Sequence, residues 1–215
     1  MNKREMERGW VEIDLRALKG NVAHLRRIMQ PGCKLMAVVK ADAYGHGAVE
    51  VAKTLNLIGE DTFAVATIEE GITLRRHKIA GEILILGYTA PCRAADLQRF
   101  RLRQTVVDMA HAEALNAIGI PLEVEIKVDT GMHRLGIDVQ NVHEIEKVYE
   151  MNCLKICGIY SHLCVSDGTT EEEIDYTKKQ ISLFYQLIQK LGEKKIKIPC
   201  MHCLLYTSPS PRDPK

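Results

Sequence analysis

Residues 34–47 read KLMAVVKADAYGHG, an apolar run that ends on Lys40 and leads into a turn containing Gly45 and Gly47. Short apolar runs of this kind recur along the chain and predict buried strands. They cover residues 34–41, 62–67, 82–87, 104–108, 122–129, 155–164 and 198–203. Apolar residues between the runs recur at helical spacing, so the sequence alternates strands with helices.

This alternation, with nearly continuous apolar strands, predicts an α/β fold in which helices cover a parallel sheet. Seven strands fit either a (β/α)8 TIM-type barrel truncated before its last strand or an open doubly wound sheet. The open sheet commonly carries a glycine-rich phosphate loop after its first strand, and neither GxGxxG nor GxxxxGK[ST] occurs here. We therefore expect the truncated barrel.

Two further elements are predicted at the ends of this alternation. Residues 10–15, WVEIDL, predict a strand ahead of the barrel, and the spacing after them predicts a helix. Near the other end, Thr170 and Glu173 form a capping-box pattern that predicts the start of a long helix. We expect that helix to present an apolar face containing Ile174, Ile181 and Ile188, with Phe184 and Leu191 alongside.

Composition excludes several classes of protein. The 29 Lys and Arg residues nearly balance the 28 Asp and Glu residues among 215, which leaves no broad basic surface for nucleic acid. A hydrophobic content of 46% with a net charge of +1 argues against intrinsic disorder. No apolar run reaches the roughly 18–20 residues of a membrane span, and residues 1–5 lack the apolar core of a signal peptide. We expect a cytoplasmic protein with neither a nucleic-acid partner nor a membrane segment.

The seven cysteines do not predict a disulfide framework, because their number is odd and their spacing irregular. Cys200 and Cys203 form one CxxC pair. A zinc site needs further ligands at suitable spacing, and no second such pair is present. We therefore expect no metal.

Candidate functional residues follow three of the predicted strands, where TIM-type barrels carry their active sites. Lys40 closes a buried strand, so its amine is either a charge at the rim or a desolvated nucleophile suited to Schiff-base formation. Alternation puts Lys127 and Asp129 on one face of their strand, and Arg134 follows a glycine turn. The alternative for this second group is a salt-bridged interior. His162 ends a third strand, a position where a single histidine is more often a structural residue.

Taken together, the segments KADAYGHG (40–47), KVDTGMHRLG (127–136) and GIYSHLCVSD (158–167) resemble the alanine racemase family. WVEIDLRALKGNV (10–22) is similar to that family's N-terminal segment, so the resemblance covers about residues 10–203. The family's cofactor is pyridoxal 5′-phosphate.

The resemblance implies a role for each candidate residue. Lys40 corresponds to the lysine that binds the cofactor covalently and acts as one of two catalytic bases. Tyr44 corresponds to the tyrosine that binds the cofactor phosphate, Arg134 to the arginine near its phenolic oxygen, and His162 to the histidine beside its pyridine ring. Lys127 corresponds to a lysine that is often carbamylated and then orients the arginine.

The implied enzyme is a homodimeric, cytoplasmic isomerase that interconverts L- and D-alanine and so supplies D-alanine for peptidoglycan. Serine is an alternative substrate within the family. A second alternative is a single-domain pyridoxal-phosphate-binding protein without catalytic turnover, whose length is similar to that of this chain.

The resemblance also divides the chain. Residues 1–33 form an N-terminal strand and helix, residues 34–203 a partial cofactor-binding barrel, and residues 204–215 a tail outside the family pattern, which we expect to be disordered or artefactual. The family's second base is a tyrosine in a C-terminal β-domain that this sequence lacks. We therefore expect the 215-residue chain to be an incomplete portion without racemase activity.

Overall fold

The computed structural model describes residues 10–203 of the chain. The predicted tail, residues 204–215, lies outside the described residues, as do residues 1–9. The chain divides into two compact units, Met1–Ile83 and Leu84–Lys215, with the boundary inside the third strand.

The first unit alternates helices with parallel strands. Its elements are α1 (Leu15–Ile28), β1 (Ala37–Val38), α2 (Lys40–Tyr44), α3 (Ala48–Leu57), β2 (Thr62–Val65), α4 (Ile68–Arg76) and the start of β3 (Glu82–Ile85). Strands β1 and β2 pair in parallel, with Ala37 opposite Phe63 and Val38 opposite Ala64. Every residue of β2 is buried, as expected for a strand of a parallel sheet.

The prediction of a strand at residues 10–15 is wrong. Residues 10–14 have no strand pairing, and helix α1 begins at Leu15. Asp14 explains the difference, because its carboxylate accepts hydrogen bonds from Arg16 N at 2.8 Å and Ala17 N at 3.2 Å and so caps the helix. The period-two pattern of WVEIDL thus has no buried face, and Trp10 and Val11 are exposed.

The second unit continues the alternation. Its elements are the end of β3, a 3₁₀ turn (Pro91–Arg93), α5 (Ala94–Arg99), β4 (Arg103–Val106), α6 (Met109–Ala117), β5 (Leu122–Asp129), β6 (Ile137–Asp138), α7 (Val142–Tyr149), β7 (Leu154–Ser161), α8 (Glu171–Glu193) and β8 (Met201–Cys203). The main sheet of this unit runs β3-β4-β5-β7-β8, and its pairings are parallel. Strand β6, which the sequence did not predict, pairs with the end of β5.

Helix α8 begins where the capping box predicted, with the Thr170 side chain accepting from Glu173 N. Phe184 and Leu191 are buried as predicted, but the three isoleucines do not form the centre of the buried face. Ile174 is 41% exposed, because the buried stripe passes through other positions. That stripe consists of Thr177, Gln180, Phe184, Leu187 and Leu191. A polar residue, Gln180, therefore occupies a position that the apolar pattern could not identify.

No helix in the described residues, 10–203, is both long and apolar enough to cross a membrane.

A close backbone approach in the first unit requires glycine at position 81. Gly81 has φ +90°, and a Cβ there would overlap the carbonyl oxygen of Asp61, which accepts a 2.7 Å hydrogen bond from Glu82 N. We expect Gly81→Ala to lower the free energy of unfolding by about 3 kcal/mol, from the positive φ and the steric overlap together. Urea denaturation measures the change.

Gly32→Ala is the matched control, because Gly32 has φ +86° and a methyl group added there would have nothing within 4 Å. It should lose only about 1 kcal/mol, which is the conformational part alone. Equal losses in the two variants would show that the approach of Asp61 is unimportant.

Candidate active site

In the first unit, the chain adopts an unusual backbone conformation directly after Lys40, just beyond the end of β1. Val39 before it is buried and Lys40 itself is half-buried. The next four residues, none of them glycine, all have φ between 50° and 53°. Element α2 is therefore a single turn of left-handed helix, closed by hydrogen bonds such as Ala43 N to Val39 O at 2.9 Å.

Left-handed helical conformation costs about 1–2 kcal/mol for each residue with a side chain, or roughly 4–8 kcal/mol for this turn. Strain of this size persists only where the surroundings enforce it, and it is concentrated at functional sites. Asp42 supplies part of the enforcement. Its carboxylate accepts from Ala48 N at 2.7 Å and its carbonyl from Gly47 N at 2.9 Å, which ties the turn to the start of α3.

The left-handed turn brings together two of the predicted site residues. The Lys40 Nζ lies 5.9 Å from the centroid of the Tyr44 ring, within the range of a cation–π contact. Tyr44 is 62% exposed, so its phenol hydroxyl is accessible to a ligand. This unit thus offers an amine and a phenol side by side at the carboxyl end of a strand.

Lys127 lies near the end of β5 in the second unit and is only 4% exposed. Its Nζ donates to the carbonyl oxygen of Leu135 at 2.7 Å. Burial lowers the pKa of Lys127, and the positive charge of Arg134 lowers it further, while Asp129 and Cys164 oppose the shift. The structure therefore favours a neutral amine here more than at an ordinary lysine.

Asp129 shapes the loop that carries Arg134. Its Oδ1 accepts from the backbone N–H groups of Gly131, Met132 and His133 at 2.9, 2.9 and 3.1 Å. Burial acts to raise the pKa of Asp129, but these three donors outweigh it and the pKa lies below its usual value. Arg134 itself is exposed on this loop. Lys127 and Asp129, which we predicted to share one face of their strand, therefore have different roles. Lys127 is a buried amine, and Asp129 holds the turn that follows the strand.

His162 directly follows β7 and is half-buried. Gln180 of α8 holds its neighbourhood: Gln180 Oε1 accepts from Cys164 N at 2.9 Å, and Nε2 donates to Thr130 Oγ1 at 3.3 Å and His162 O at 3.4 Å. One buried amide therefore joins the segments that leave β5 and β7. The predicted residues Lys127, Arg134 and His162 lie on or directly after these two adjacent strands.

Tyr176 adds a second bond from α8 to the same region. Its hydroxyl donates to the carbonyl oxygen of Gly131 at 2.7 Å. Gly131 has φ +133°, and a Cβ there would lie 2.6 Å from that hydroxyl, so the contact requires glycine. Sequence reasoning missed both Tyr176 and Gln180. The one sequence signal that bears on them is the capping box, because it sets where α8 begins and therefore which of its residues face inward.

A second cluster that sequence reasoning missed lies deeper in the same sheet. Glu125 is 1% exposed and bonds one guanidinium nitrogen of Arg103 at 2.9 Å and His202 Nε2 at 2.5 Å. Burial acts to raise the pKa of Glu125, but His202 and Arg103 outweigh it and lower the pKa. The His202 ring stacks on Tyr160 with centroids 4.7 Å apart. Period-two alternation back from Lys127 is the signal that could have found Glu125.

The described residues contain no group of three or more His, Cys, Asp or Glu side chains placed to hold a metal ion.

Comparison with known proteins identifies the family. Residues 13–204 match the family described as "Alanine racemase, N-terminal domain". The chain belongs to the alanine racemase family. Sequence motifs alone predicted this membership, and the match confirms it.

Relatives within the alanine racemase family are substantially longer than this chain. It is 44% identical over 195 residues to an amino-acid racemase of Enterococcus faecalis, covering 91% of this chain and 27% of that protein. It is 41% identical over 197 residues to a serine/alanine racemase of Enterococcus gallinarum, covering 92% and 28%. The chain therefore spans little more than a quarter of the length of these two curated relatives.

Solved structures of alanine racemases confirm the predicted fold. The enzyme of Clostridium difficile 630 superposes with a TM-score of 0.83 at 34% identity, covering 90% of this chain and 52% of that chain. The fold is therefore the partial α/β barrel of the family's N-terminal domain, and the family's C-terminal domain is not represented in the match.

The role of Gln180 in holding two strand exits can be measured through stability. We expect Gln180→Leu to lower the free energy of unfolding by about 2 kcal/mol, because the part-buried Cys164 N–H loses its acceptor. Gln189→Leu on the exposed side of α8 removes only a surface contact with Glu193 and should change stability by less than about 0.5 kcal/mol. Urea denaturation of the two variants compares them, and similar losses would contradict the assigned role.

Proposed function

We propose that this chain is the cofactor-binding portion of a pyridoxal-phosphate-dependent amino-acid racemase, with alanine as its substrate. The observation that carries the proposal is Lys40, an amine at the end of a parallel strand, held by an enforced left-handed turn beside the Tyr44 phenol. Membership of the alanine racemase family supports the reaction class.

The residues present fit the cofactor. A half-buried primary amine is the group that condenses with an aldehyde, and the exposed Tyr44 hydroxyl is a donor suited to a phosphate oxygen. By the family resemblance, Lys40, Tyr44, Arg134 and His162 are the residues that would hold pyridoxal 5′-phosphate. When bound, this cofactor supplies an electron sink that acidifies the α-proton of an amino acid.

Lys40 then acts as a base in the proposed reaction. Its Nζ takes the proton from Cα of one enantiomer, or returns a proton to that face of Cα for the other. Inversion requires a second base on the opposite face. By the family resemblance that base is a tyrosine of the C-terminal domain, so we expect the 215-residue chain alone to bind the cofactor without racemising alanine.

Serine is the second candidate substrate, favoured by the 41% identity to the Enterococcus gallinarum serine/alanine racemase. The family resemblance further supports a homodimeric, cytoplasmic enzyme that supplies D-alanine for peptidoglycan.

Covalent trapping tests the cofactor assignment. The 215-residue chain is incubated with pyridoxal 5′-phosphate, reduced with borohydride and mapped by peptide mass spectrometry. We expect the label on Lys40, its loss in Lys40→Ala, and its retention in Lys34→Ala, which removes an exposed lysine just before β1. Labelling that persists in Lys40→Ala would refute the assignment.

Chiral chromatography of L-alanine and L-serine incubated with the same preparation tests the catalytic part. No D-enantiomer above the Lys40→Ala background is expected from the 215-residue chain. Turnover by this chain would show that its own residues supply both bases. Cofactor binding without turnover in a longer protein that includes the C-terminal domain would instead favour the non-catalytic binding protein.

We also propose that Lys127 is carbamylated. The neutral Nζ attacks the carbon of carbon dioxide, an N–C bond forms, one C=O electron pair moves to oxygen, and a proton leaves Nζ for solvent. The lowered pKa of Lys127 supports this step, because only the neutral amine is nucleophilic. The resulting carbamate would place a negative charge beside the Arg134 loop.

Carbon-13 NMR with labelled bicarbonate tests the carbamate. We expect a carbamate signal that grows as pH rises through the lowered pKa of Lys127 and that is absent in Lys127→Met. Lys155→Met is the control, since Lys155 is 74% exposed and its hydrogen bond with Glu123 raises its pKa. A signal lost in Lys155→Met but kept in Lys127→Met would overturn the proposal.

The same lysine predicts a pH dependence of stability without bicarbonate. Between the lowered folded pKa of Lys127 and the ordinary value of 10.5, the unfolded chain binds more protons than the folded chain. Stability attributable to Lys127 therefore rises with pH across that window, and Lys127→Met should flatten the rise. Urea denaturation of both chains across a series of pH values measures the two slopes, and equal slopes would contradict this prediction.

A further inference from the structure

Glu70 on α4 makes contacts that its position in a helix cap does not explain. Its Oε1 accepts from Ala41 N at 2.8 Å, and its Oε2 accepts from Ala66 N at 2.7 Å and Thr67 N at 3.4 Å. Ala41 directly follows Lys40, and Ala66 directly follows β2. One carboxylate thus joins the exits of two neighbouring parallel strands.

The ordinary function of a glutamate at this position is to complete a capping box with Thr67, and the box is present. The bond that completes the box, from Thr67 N, is the longest of the three. The two shorter bonds go outside the box, one of them to a residue 29 positions earlier. The hydrogen bond from Thr67 N, which caps the helix, is therefore the weakest of the three that Glu70 accepts.

The described residues contain a second capping box, at the start of α8, in which the glutamate makes only local hydrogen bonds. Glu173 of α8 accepts from Thr169 N at 3.0 Å and from Thr170 N and Oγ1 at 3.1 and 2.9 Å. All of these donors lie within four residues of Glu173. The same sequence pattern thus produces a purely local contact at one helix and a contact between strand exits at the other.

The bond to Ala41 acts on Lys40 through covalent geometry. Ala41 N–H belongs to the rigid peptide plane that begins at the Lys40 carbonyl, so holding that N–H restricts ψ of Lys40. Ala41 is also the first residue of the left-handed turn. A charge-assisted acceptor at this point stabilises the start of a conformation that these residues disfavour.

We infer that Glu70 is a positioning residue for Lys40: its carboxylate holds the Lys40–Ala41 peptide and so sets the direction in which the Lys40 amine leaves β1. The inference rests on the proposed function for the role of Lys40, but the hydrogen bonds on which it depends can be tested without cofactor.

The test compares Glu70→Gln with Glu69→Gln and Glu173→Gln. The amide introduced by Glu70→Gln would keep one acceptor oxygen and turn an NH2 group toward a backbone donor, so either the Ala41 or the Ala66 bond is lost. Glu69→Gln removes the same charge from the exposed side of the same helical turn, and Glu173→Gln weakens a purely local capping box. All variants are compared at a temperature where circular dichroism shows them fully folded.

The first measurement is amide hydrogen exchange at Ala41 and Ala66, read by NMR on the cofactor-free chain. We expect exchange at one or both to be about tenfold faster or more in Glu70→Gln, and unchanged in the two controls. Unchanged exchange at both amides in Glu70→Gln would overturn the inference, whatever the cofactor does.

The second measurement is the rate at which pyridoxal 5′-phosphate forms the borohydride-trappable adduct at Lys40. We expect a fall of about tenfold in Glu70→Gln and less than about twofold in the controls. A merely structural role would change stability but not this rate in folded protein, so equal rates would count against positioning. If the unaltered chain forms no adduct, the proposed function fails, while the exchange result still stands on its own.

Glu70→Asp keeps the test decisive if Glu70→Gln does not fold. Aspartate retains the charge near the helix N-terminus and can still cap, but it is one methylene too short to span both strand exits. We expect faster exchange at Ala41 in this variant as well, and protection equal to that of the unaltered chain would contradict the inference.

Discussion

The chain leaving a parallel strand must find hydrogen-bond partners for its backbone before it can carry a functional side chain. The sheet ladder ends at that point, so the backbone amides beyond it have no partner on the neighbouring strand. In the first unit the carboxylate of Glu70 meets this need for the exits of β1 and β2. In the second, the Gln180 amide meets it after β7, where it bonds Cys164 N and His162 O, and it also reaches the Thr130 hydroxyl after β5. Both side chains come from helices.

Burial and side-chain pairing explain why the charged residues of the second unit differ so much in environment. Lys127 and Lys155 belong to neighbouring strands, yet burial lowers the pKa of the first while a surface bond to Glu123 raises that of the second. Glu125 keeps its charge inside the sheet because Arg103 and His202 both bind it. The charge of a side chain in this sheet therefore depends on its burial and on the charged groups beside it.

Membership of the alanine racemase family and the left-handed turn after Lys40 are two independent observations. The family match covers residues 13–204 and bears on reaction class. The left-handed turn after Lys40 is a physical observation that indicates a functional position in any protein, because such strain needs enforcement. Their coincidence at Lys40 supports the proposal that this lysine carries the cofactor chemistry.

Local patterns in the sequence were sufficient for the alternation of strands and helices, the family and the candidate residues. Apolar runs mark buried strands, and Thr170 with Glu173 marks the start of α8, because each signal involves residues close in sequence. The same kind of local pattern was wrong at residues 10–15, where no strand within residues 10–203 lies beside the alternation and Asp14 caps a helix instead.

Contacts between residues far apart in sequence were decided only by packing. The capping-box pattern is the same at Glu70 and Glu173, yet only Glu70 of these two reaches another strand exit. Gln180 and Tyr176 carry no motif and contact the candidate site because α8 packs with that face inward. The pKa of Lys127 likewise depends on burial and on Arg134, which no reading of spacing can supply. Sequence determined which chemical groups are available, and tertiary structure determined which of them are held, buried and charged, because hydrogen bonding and desolvation depend on distance in space.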